Sequence, residues 1–399
     1  MPSRRHFLTL AAATTTTALA PWPAWSGDWA AIEAEAKGQT VYFNAWAGSD
    51  TINAYIAWAG AEVAKRYGIT VTHVKITDTA EVVKRVRDEV AAGKQDGSVD
   101  LVWINGENFR LMKSENLLFG PFSESLPNYA FVDTQGKPTT RQDFSESVDG
   151  LEAPWGMAQL TFFADGAKVA QPPLSMTELT AFAAANPGRV SYPAPPDFYG
   201  TTFIKQMLLE SHADQSIFAG PADEAALDRV RGPWEAALDA LHKHCWRDGK
   251  QFPKSQADIT QMVADGELLI GITFNPNEPA NLVAAGRMPK TTIAWQNRDG
   301  TIGNTHFVAI PANAKAKAAA QVFANFLLSP EAQARKNDIT QWGDPTVLAV
   351  TKLPEAEQKL FTASVVPGGV TIPGPTLLEP HASWVPLLEQ AWLARYGRG

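Results

Sequence analysis

Two short stretches set an indole beside groups that can bind: Trp46-Ala47-Gly48-Ser49-Asp50 and Trp103-Ile104-Asn105-Gly106-Glu107-Asn108. An indole face attracts a cation by about 0.5–2 kcal/mol, and a neighbouring carboxylate pairs the charge. The same faces, joined to Asn and Asp hydrogen bonds, also suit a sugar. Reactive chemistry is harder to find. No Gly-x-Ser-x-Gly turn exposes a nucleophile, no His-Glu-x-x-His pair offers a zinc site, and the seven histidines are scattered. Ser49-Asp50-Thr51 has the residue types of a nucleophile turn, but Ser or Asp ahead of a helical pattern reads more simply as an N-cap. His242, His244 and Cys245 in "HKHCWRD" match no standard zinc spacing and read as a helix surface. His306 reads as a structural histidine. No catalytic residue, metal ligand or cofactor is expected.

The elements that must position these residues are legible in order. Asp28 reads as the N-cap of a helix running to about Lys37. Val41–Trp46 is an apolar strand, "TINAYIAWAGAEVAKRYG" an amphipathic helix and "ITVTHVKI" a strand. "TAEVVKRVRDEVAAG" is a helix with Val82, Val83, Val86 and Val90 at helical spacing, "VDLVWI" a strand, and "GENFRLMKSENLL" a further helix. Alternating helices and near-continuous apolar strands predict a parallel sheet covered on both faces. Ligands of such sheets bind beyond the carboxyl ends of the strands, which is where Trp46–Asp50 and Trp103–Asn108 fall. Further on, "MTELTAFAAANPGRVSY" predicts a helix, a turn and a strand. "ADITQMVADGELLIGITFN" predicts a helix, a loop and a strand, and "NTHFVAIPANAKAKAAAQVFANFLLSPEAQ" a strand and a long helix.

The chain has 399 residues, enough for two domains, with 45% hydrophobic and 19% charged residues as in ordinary globular proteins. A formal net charge of -8 and the lack of a basic stripe exclude a nucleic-acid partner. A single cysteine, Cys245, excludes an intrachain disulfide. "SRRHFLTL", followed by a mildly apolar Ala/Thr stretch, resembles a twin-arginine export signal over residues 1–26. Cleavage after Ser26 or after Ala20 fits, although Pro21 is an awkward residue to follow the second site. No later segment has the ~18 unbroken apolar residues of a membrane span, so a soluble periplasmic protein without membrane insertion is expected.

"VAIPANAKAKAAAQVFANFLLSPEAQ" at Val308–Gln333 resembles the late helical segment of the extracellular solute-binding proteins of ABC importers. "TVYFNAW", "VDLVWINGENF" and "DGELLIGITFNPNE" fall in the order that family uses, so the resemblance spans nearly the whole chain after residue 26. Within the family it is similar to the subgroup of YnjB-type proteins and of thiamine, iron and polyamine binders. The resemblance implies the two-lobed periplasmic binding protein fold, with each lobe a mainly parallel sheet flanked by helices and the lobes joined by crossing strands. It implies residues 27–155 with 303–336 as one lobe and 156–302 with 337–399 as the other. The chain would cross near Pro154–Met157, near Gly303–Phe307 and after about Asn337. The C-terminal "HASWVPLLEQAWLARYG" would pack on the second lobe. A monomer that works with membrane permease subunits is expected, and a ligand-presenting sensor or an extracytoplasmic hydrolase are the other classes.

With the cleft between two such lobes lined by strand-end loops, the first lobe offers Asn44, Trp46, Ser49, Asp50, Trp103, Asn105, Glu107 and Asn108. The crossing adds Trp155. The second lobe offers Asp197, Phe198, Tyr199, Thr201, Asn275, Asn277 and Glu278, and Trp342 and Asp344 reach in from "QWGDPT". The set is aromatic and acidic with few basic residues. It suits an organic cation, thiamine-like or polyamine-like, with a sugar as the rival. Ferric iron would want a tyrosine cluster, and the seven tyrosines include no adjacent pair.

Overall fold

The computed structural model describes residues 28–361 and 366–397; the export signal read at residues 1–26 lies outside them. The strands are β1 Thr40–Trp46, β2 Thr70–Ile76, β3 Leu101–Ile104, β4 Gln142–Asp143, β5 Glu146–Ser147, β6 Glu152–Gln159, β7 Thr161–Asp165, β8 Gly271–Thr273, β9 Thr292–Trp295, β10 Thr301–Ala309, β11 Val370–Ile372 and β12 Thr376–Leu377. The helices are α1 Trp29–Ala36, α2 Asp50–Tyr67, α3 Thr79–Ala91, α4 Glu107–Ser114, α5 Met176–Ala185, α6 Phe198–Glu210 and α7 Glu224–His242, then α8 Gln256–Ala264, α9 Glu278–Ala284, α10 Lys317–Leu327, α11 Pro330–Asn337, the single turn α12 Glu355–Gln358, and α13 Trp384–Tyr396.

The first sheet runs β12-β10-β3-β1-β2, with β6 on β10. β1 pairs in parallel with β2 and β3, as alternating strands and helices require. Its alternation decides its faces. Val41, Phe43 and Ala45 join one core with residues of α2 and α10, whereas Tyr42 is exposed. The valines of α3 at helical spacing, Val82, Val83 and Val86, fill a second core on the sheet with Val102 and Phe307. Asp28 caps α1 as expected, its carboxylate accepting from Ala30 N at 3.1 Å.

The second sheet runs β11-β9-β7-β8. Apolar clusters cover both of its faces. One joins Phe162 to α6, α7 and the C-terminal helix through Trp234, Leu388 and Trp392. The other joins Phe163 to Ile259 and Leu282. This sheet departs from the mainly parallel expectation: β7 runs antiparallel to both β8 and β9, and only β11 is parallel to its neighbour β9. The reason is the way the chain arrives. β6 of the first sheet runs into β7 of the second with only Leu160 between them, and Leu160 N donates to Ile302 O at 2.8 Å. β10 returns antiparallel to β6, from Gly303 opposite Gln159 to Ala309 opposite Glu152. Two adjacent strands therefore pass between the sheets without a crossover helix, and they carry an antiparallel sense to both sides.

Other expectations change. Residues beyond Asn337 stay with the first core, where Trp342, Val347, Leu348 and Leu353 pack. The described chain joins the second sheet only at β11, because "PTVLAV" supplies backbone partners to Phe131 and Asp133 on the first side. Val190–Tyr192 is buried yet irregular rather than a strand. The long helix expected toward the end of Asn304–Gln333 is two helices: Ser329 caps the second through Ala332 N at 3.2 Å, and Pro330 takes its first position. The stretch around His242 and Cys245 is not a helix surface. Both side chains are buried; Tyr192 Oη lies 2.7 Å from His242 Nε2, and Trp392 Nε1 donates to Tyr192 Oη at 2.8 Å. Burial lowers the His242 pKa to about 4 and pushes the Cys245 thiol up to about 12.

Candidate functional site

Trp103, at the carboxyl end of β3, meets the crossing strands. Its ring lies edge-on to Trp155 of β6 at 5.0 Å and to His306 of β10 at 5.1 Å, and Trp342 stands 5.9 Å away. Trp155 and Trp342 are 5.4 Å apart, and Tyr55 of α2 closes the group 5.3 Å from Trp342. These separations suit edge-to-face attraction. Five residues come together here that lie far apart in the chain; Trp103, Trp155 and His306 meet because β3 and β6 flank β10 in one sheet.

The group encloses a charge of the protein's own. Lys336, fully buried at the end of α11, sets its Nζ 3.8 Å from the centre of the Trp342 ring and 4.5 Å from that of Trp155. It pairs with Asp344, whose other oxygen lies 3.1 Å from His306 Nε2. Burial lowers the Lys336 pKa to about 8, although Asp344 pulls the other way. Burial would also raise the Asp344 carboxyl, but Lys336 and His306 outweigh it and hold it below its ordinary value. Gly156 admits the pair to the crossing strands: a Cβ there would coincide with Lys336 Nζ and Asp344 Oδ2. The loop carrying Trp342 and Asp344 reaches the other lobe as well. Asn277 Nδ2 donates to Gly343 O at 2.6 Å and Asn281 Nδ2 to Trp342 O at 2.9 Å.

A second cluster forms where the lobes abut. The β4–β5 hairpin brings Asp143 to the β3 end, and Asp143 Oδ2 accepts from Gly106 N at 2.6 Å. Gly106 has a φ of 63° and its Cα faces the Phe144 ring, so a side chain there would be both strained and crowded. From the second lobe, Lys205 of α6 donates to Glu379 Oε2 at 2.6 Å, and Thr201 Oγ1 donates to Glu389 at 2.6 Å. The crossing strand adds Asn304, whose Nδ2 lies 3.3 Å from Glu379 Oε1. Burial raises the carboxyls of Asp143, Glu379 and Glu389, and in each case Glu107 adds to the rise. Glu107 itself is exposed at the start of α4.

The remaining sequence candidates fall in separate places. Asn44 lies beneath α3, its Oδ1 accepting from Arg85 Nη1 at 3.3 Å. Trp46 is 41% exposed. Ser49 precedes α2 without capping it, its Oγ lying 2.9 Å from Thr51 Oγ1, and Asp50 is exposed. Asn105 and Asn108 are half-buried beside Glu107. Asp197 caps α6 through Tyr199 N at 2.9 Å and Gly200 N at 3.2 Å, and burial raises its carboxyl. Burial, then Glu278 and Asp197, raise the Tyr199 phenol. Asn275 accepts from Asn277 N at 3.0 Å, and Glu278 accepts from Thr273 and Gln256. Sequence reading missed Tyr55, Asp143, Lys205, Asn304, Lys336, Glu379 and Glu389. Only Lys205 carried a local signal, a lysine inside the apolar run "TTFIKQMLL".

The model of the family described as "Bacterial extracellular solute-binding protein" matches residues 58–359. The chain belongs to that family, the solute-binding components of ABC transporters. It is 48% identical over 373 residues to Protein YnjB of Escherichia coli (strain K12), covering 93% of this chain and 95% of that protein. Among solved structures it is similar in fold to the spermidine/putrescine ABC transporter substrate-binding protein PotD of Streptococcus pneumoniae, with a TM-score of 0.63 at 14% identity over 89% of this chain and 98% of that one. The binding protein AfuA of Actinobacillus pleuropneumoniae, with fructose-6-phosphate bound, gives a TM-score of 0.61 at 14% identity over 90% and 99% of the two chains. A Bordetella ferric binding protein gives 0.59 at 16% identity over 90% and 99%. These neighbours share the two-lobed periplasmic binding protein fold.

Among the described residues no helix is long and apolar enough to cross a membrane, and no group of three or more His, Cys, Asp or Glu could hold a metal ion.

Proposed function

We propose that the protein captures an organic cation, thiamine-like or polyamine-like, between its two lobes and delivers it to the membrane permease subunits of an ABC importer from the periplasm. One observation carries the choice of a cation. Glu107 acts on both Glu379 and Glu389 across the junction of the lobes, and Lys205 pairs with Glu379 there. An anionic solute would add to that repulsion; a cation would relieve it, most strongly once closure has expelled water. A sugar is less well supported, because the Trp155 and Trp342 rings are buried and the accessible aromatic faces, Trp46, Phe198 and the half-buried Trp103 and Tyr199, stand beside carboxylates that a cation would pair. Within the lobes, Trp46, Asn105, Glu107, Asn108, Asp197 and Tyr199 remain the candidate ligand contacts.

A thermal-shift screen of thiamine, choline and polyamines against sugars, amino acids and oxyanions tests this. A solute that binds only the folded state adds about 2.7 kcal/mol of stability at a hundredfold excess over Kd, a rise of roughly 3–4 °C for a chain of this size. The expected hit is cationic, and Glu107→Gln weakens it at least tenfold. A neutral sugar as the only hit, bound equally well by Glu107→Gln, would remove the cation reading.

A further inference from the structure

Lys205 lies in the middle of α6 and is 1% exposed. A buried ammonium survives only with a counter-charge and oriented partners, and this one has both: Glu379 Oε2 at 2.6 Å and the face of Phe144, whose centre is 4.5 Å from Nζ. The surroundings come from both lobes. Phe144 belongs to the hairpin tied to Gly106, Glu379 to the segment before α13, and Asn304 to the crossing strand β10. Ser145 Oγ donates to Glu379 O at 2.7 Å and Ala382 N to Phe144 O at 3.1 Å, so the seam closes directly over the lysine. Asn304 holds Glu379 with its amide NH2, while its Oδ1, 2% exposed as a residue, has no hydrogen-bond partner among the described residues. That acceptor stands beside a carboxylate group which one lysine does not neutralise. The same construction recurs at Lys336, an internal ammonium held between Trp155, Trp342 and Asp344.

We propose that Lys205 is a resident ammonium: it fills an aromatic–carboxylate site on the seam between the lobes with the protein's own charge, leaving room there for one cationic group of the solute and not two. The charge limit rests on the cation reading of the cleft; the resident ammonium does not. Glu379 is spent on Lys205, so Glu107 and Glu389 are the carboxylates left to receive the solute, with Asn304 Oδ1 as a neutral acceptor. The solute class this favours carries a single positive group at one end, thiamine-like rather than polyamine-like.

The test is chemical replacement of the side chain. Lys205→Ala leaves a space the size and charge of n-propylammonium. The thermal midpoint of the variant falls, and n-propylammonium restores at least half of the loss saturably, whereas propan-1-ol does not and the parent protein is not shifted. If the variant is recovered only unfolded, its refolding yield with n-propylammonium against propan-1-ol reads the same site. Equal restoration by propan-1-ol, or none by n-propylammonium, overturns the resident ammonium. For the charge limit, 1,4-diaminobutane binds Lys205→Ala at least tenfold more tightly than the parent; equal affinity overturns it. A screen that returned only neutral solutes for the parent would sink the cation reading, while the n-propylammonium titration still decides the role of Lys205.

Discussion

Glu152 begins β6 fully buried, and neither of its carboxyl oxygens has a hydrogen-bond partner among the described residues. Asp143 nearby is equally buried, with Oδ1 also unpartnered. An ionised carboxylate in such a place is costly, and the group responds by keeping its proton. Burial, then the Asp143 charge, raise the Glu152 carboxyl well above its ordinary value; burial, then Glu107, Glu379 and Glu146, do the same for Asp143. The sign of the pH dependence follows. A carboxyl whose folded pKa exceeds its unfolded value, about 4, gives its full stabilisation below that value and loses it as pH rises through the folded pKa. Stability should therefore fall as pH rises above the unfolded value of about 4. Glu152→Gln removes one titration and its repulsion of Asp143, so its midpoint should exceed the parent's at pH 8, with the difference shrinking toward pH 5. Each unit of pKa difference is worth about 1.4 kcal/mol. Thermal midpoints across that range check this; parallel profiles for the two proteins would refute it.

At the scale of elements, the loop from α11 to Thr346 is a two-sided tie. On the first lobe, Gln333 Oε1 accepts from Thr346 Oγ1 at 2.8 Å and Val347 N at 3.1 Å, while its Nε2 donates to Trp155 O at 2.8 Å. On the other side Asn277 and Asn281 of the α9 region hold the carbonyls of Gly343 and Trp342. The first set is buried and fixes the loop; the second set is part-buried and spans the lobes. Neutral hydrogen bonds contribute about 0.5–1.5 kcal/mol each, enough together to bias an equilibrium between open and closed arrangements. The double variant Asn277→Ala/Asn281→Ala should keep its circular dichroism, show a larger radius of gyration by X-ray scattering, and bind its solute up to tenfold or more weakly. An unchanged radius with unchanged affinity would show that these bonds do not govern closure.

For the whole molecule, two antiparallel strands pass side by side between the sheets, with Trp155 packed in the first core and Ala158 in the second, the place where a hinge between the lobes is expected. Folding asks for no disulfide: Cys245 is the only cysteine and is buried in the second core. That fits the export route read from Arg4 and Arg5, which carries folded cargo. Replacing both arginines with lysine should leave the precursor in the cytoplasm, as fractionation and immunoblotting would show; normal export would discard the twin-arginine reading.

The sequence by itself determined most of the local elements and the two-lobed α/β class, but not the strand sense of the second sheet. Helical and strand periodicities, caps such as Asp28 and the order of family-like segments depend on neighbours a few residues apart, which the chain displays directly. It also pointed to Trp103, an indole at a strand end, and, through the crossings the family resemblance implies, to Trp155, Trp342 and Asp344. Only the tertiary structure decided what those residues face. Trp155, Trp342 and Asp344 enclose Lys336, because α11 packs its last turn against β6. Lys205 meets Glu379 across a separation of 174 residues, and Asp143 reaches Gly106 only through the hairpin. Such convergence depends on how sheets and helices dock, and no local spacing records it.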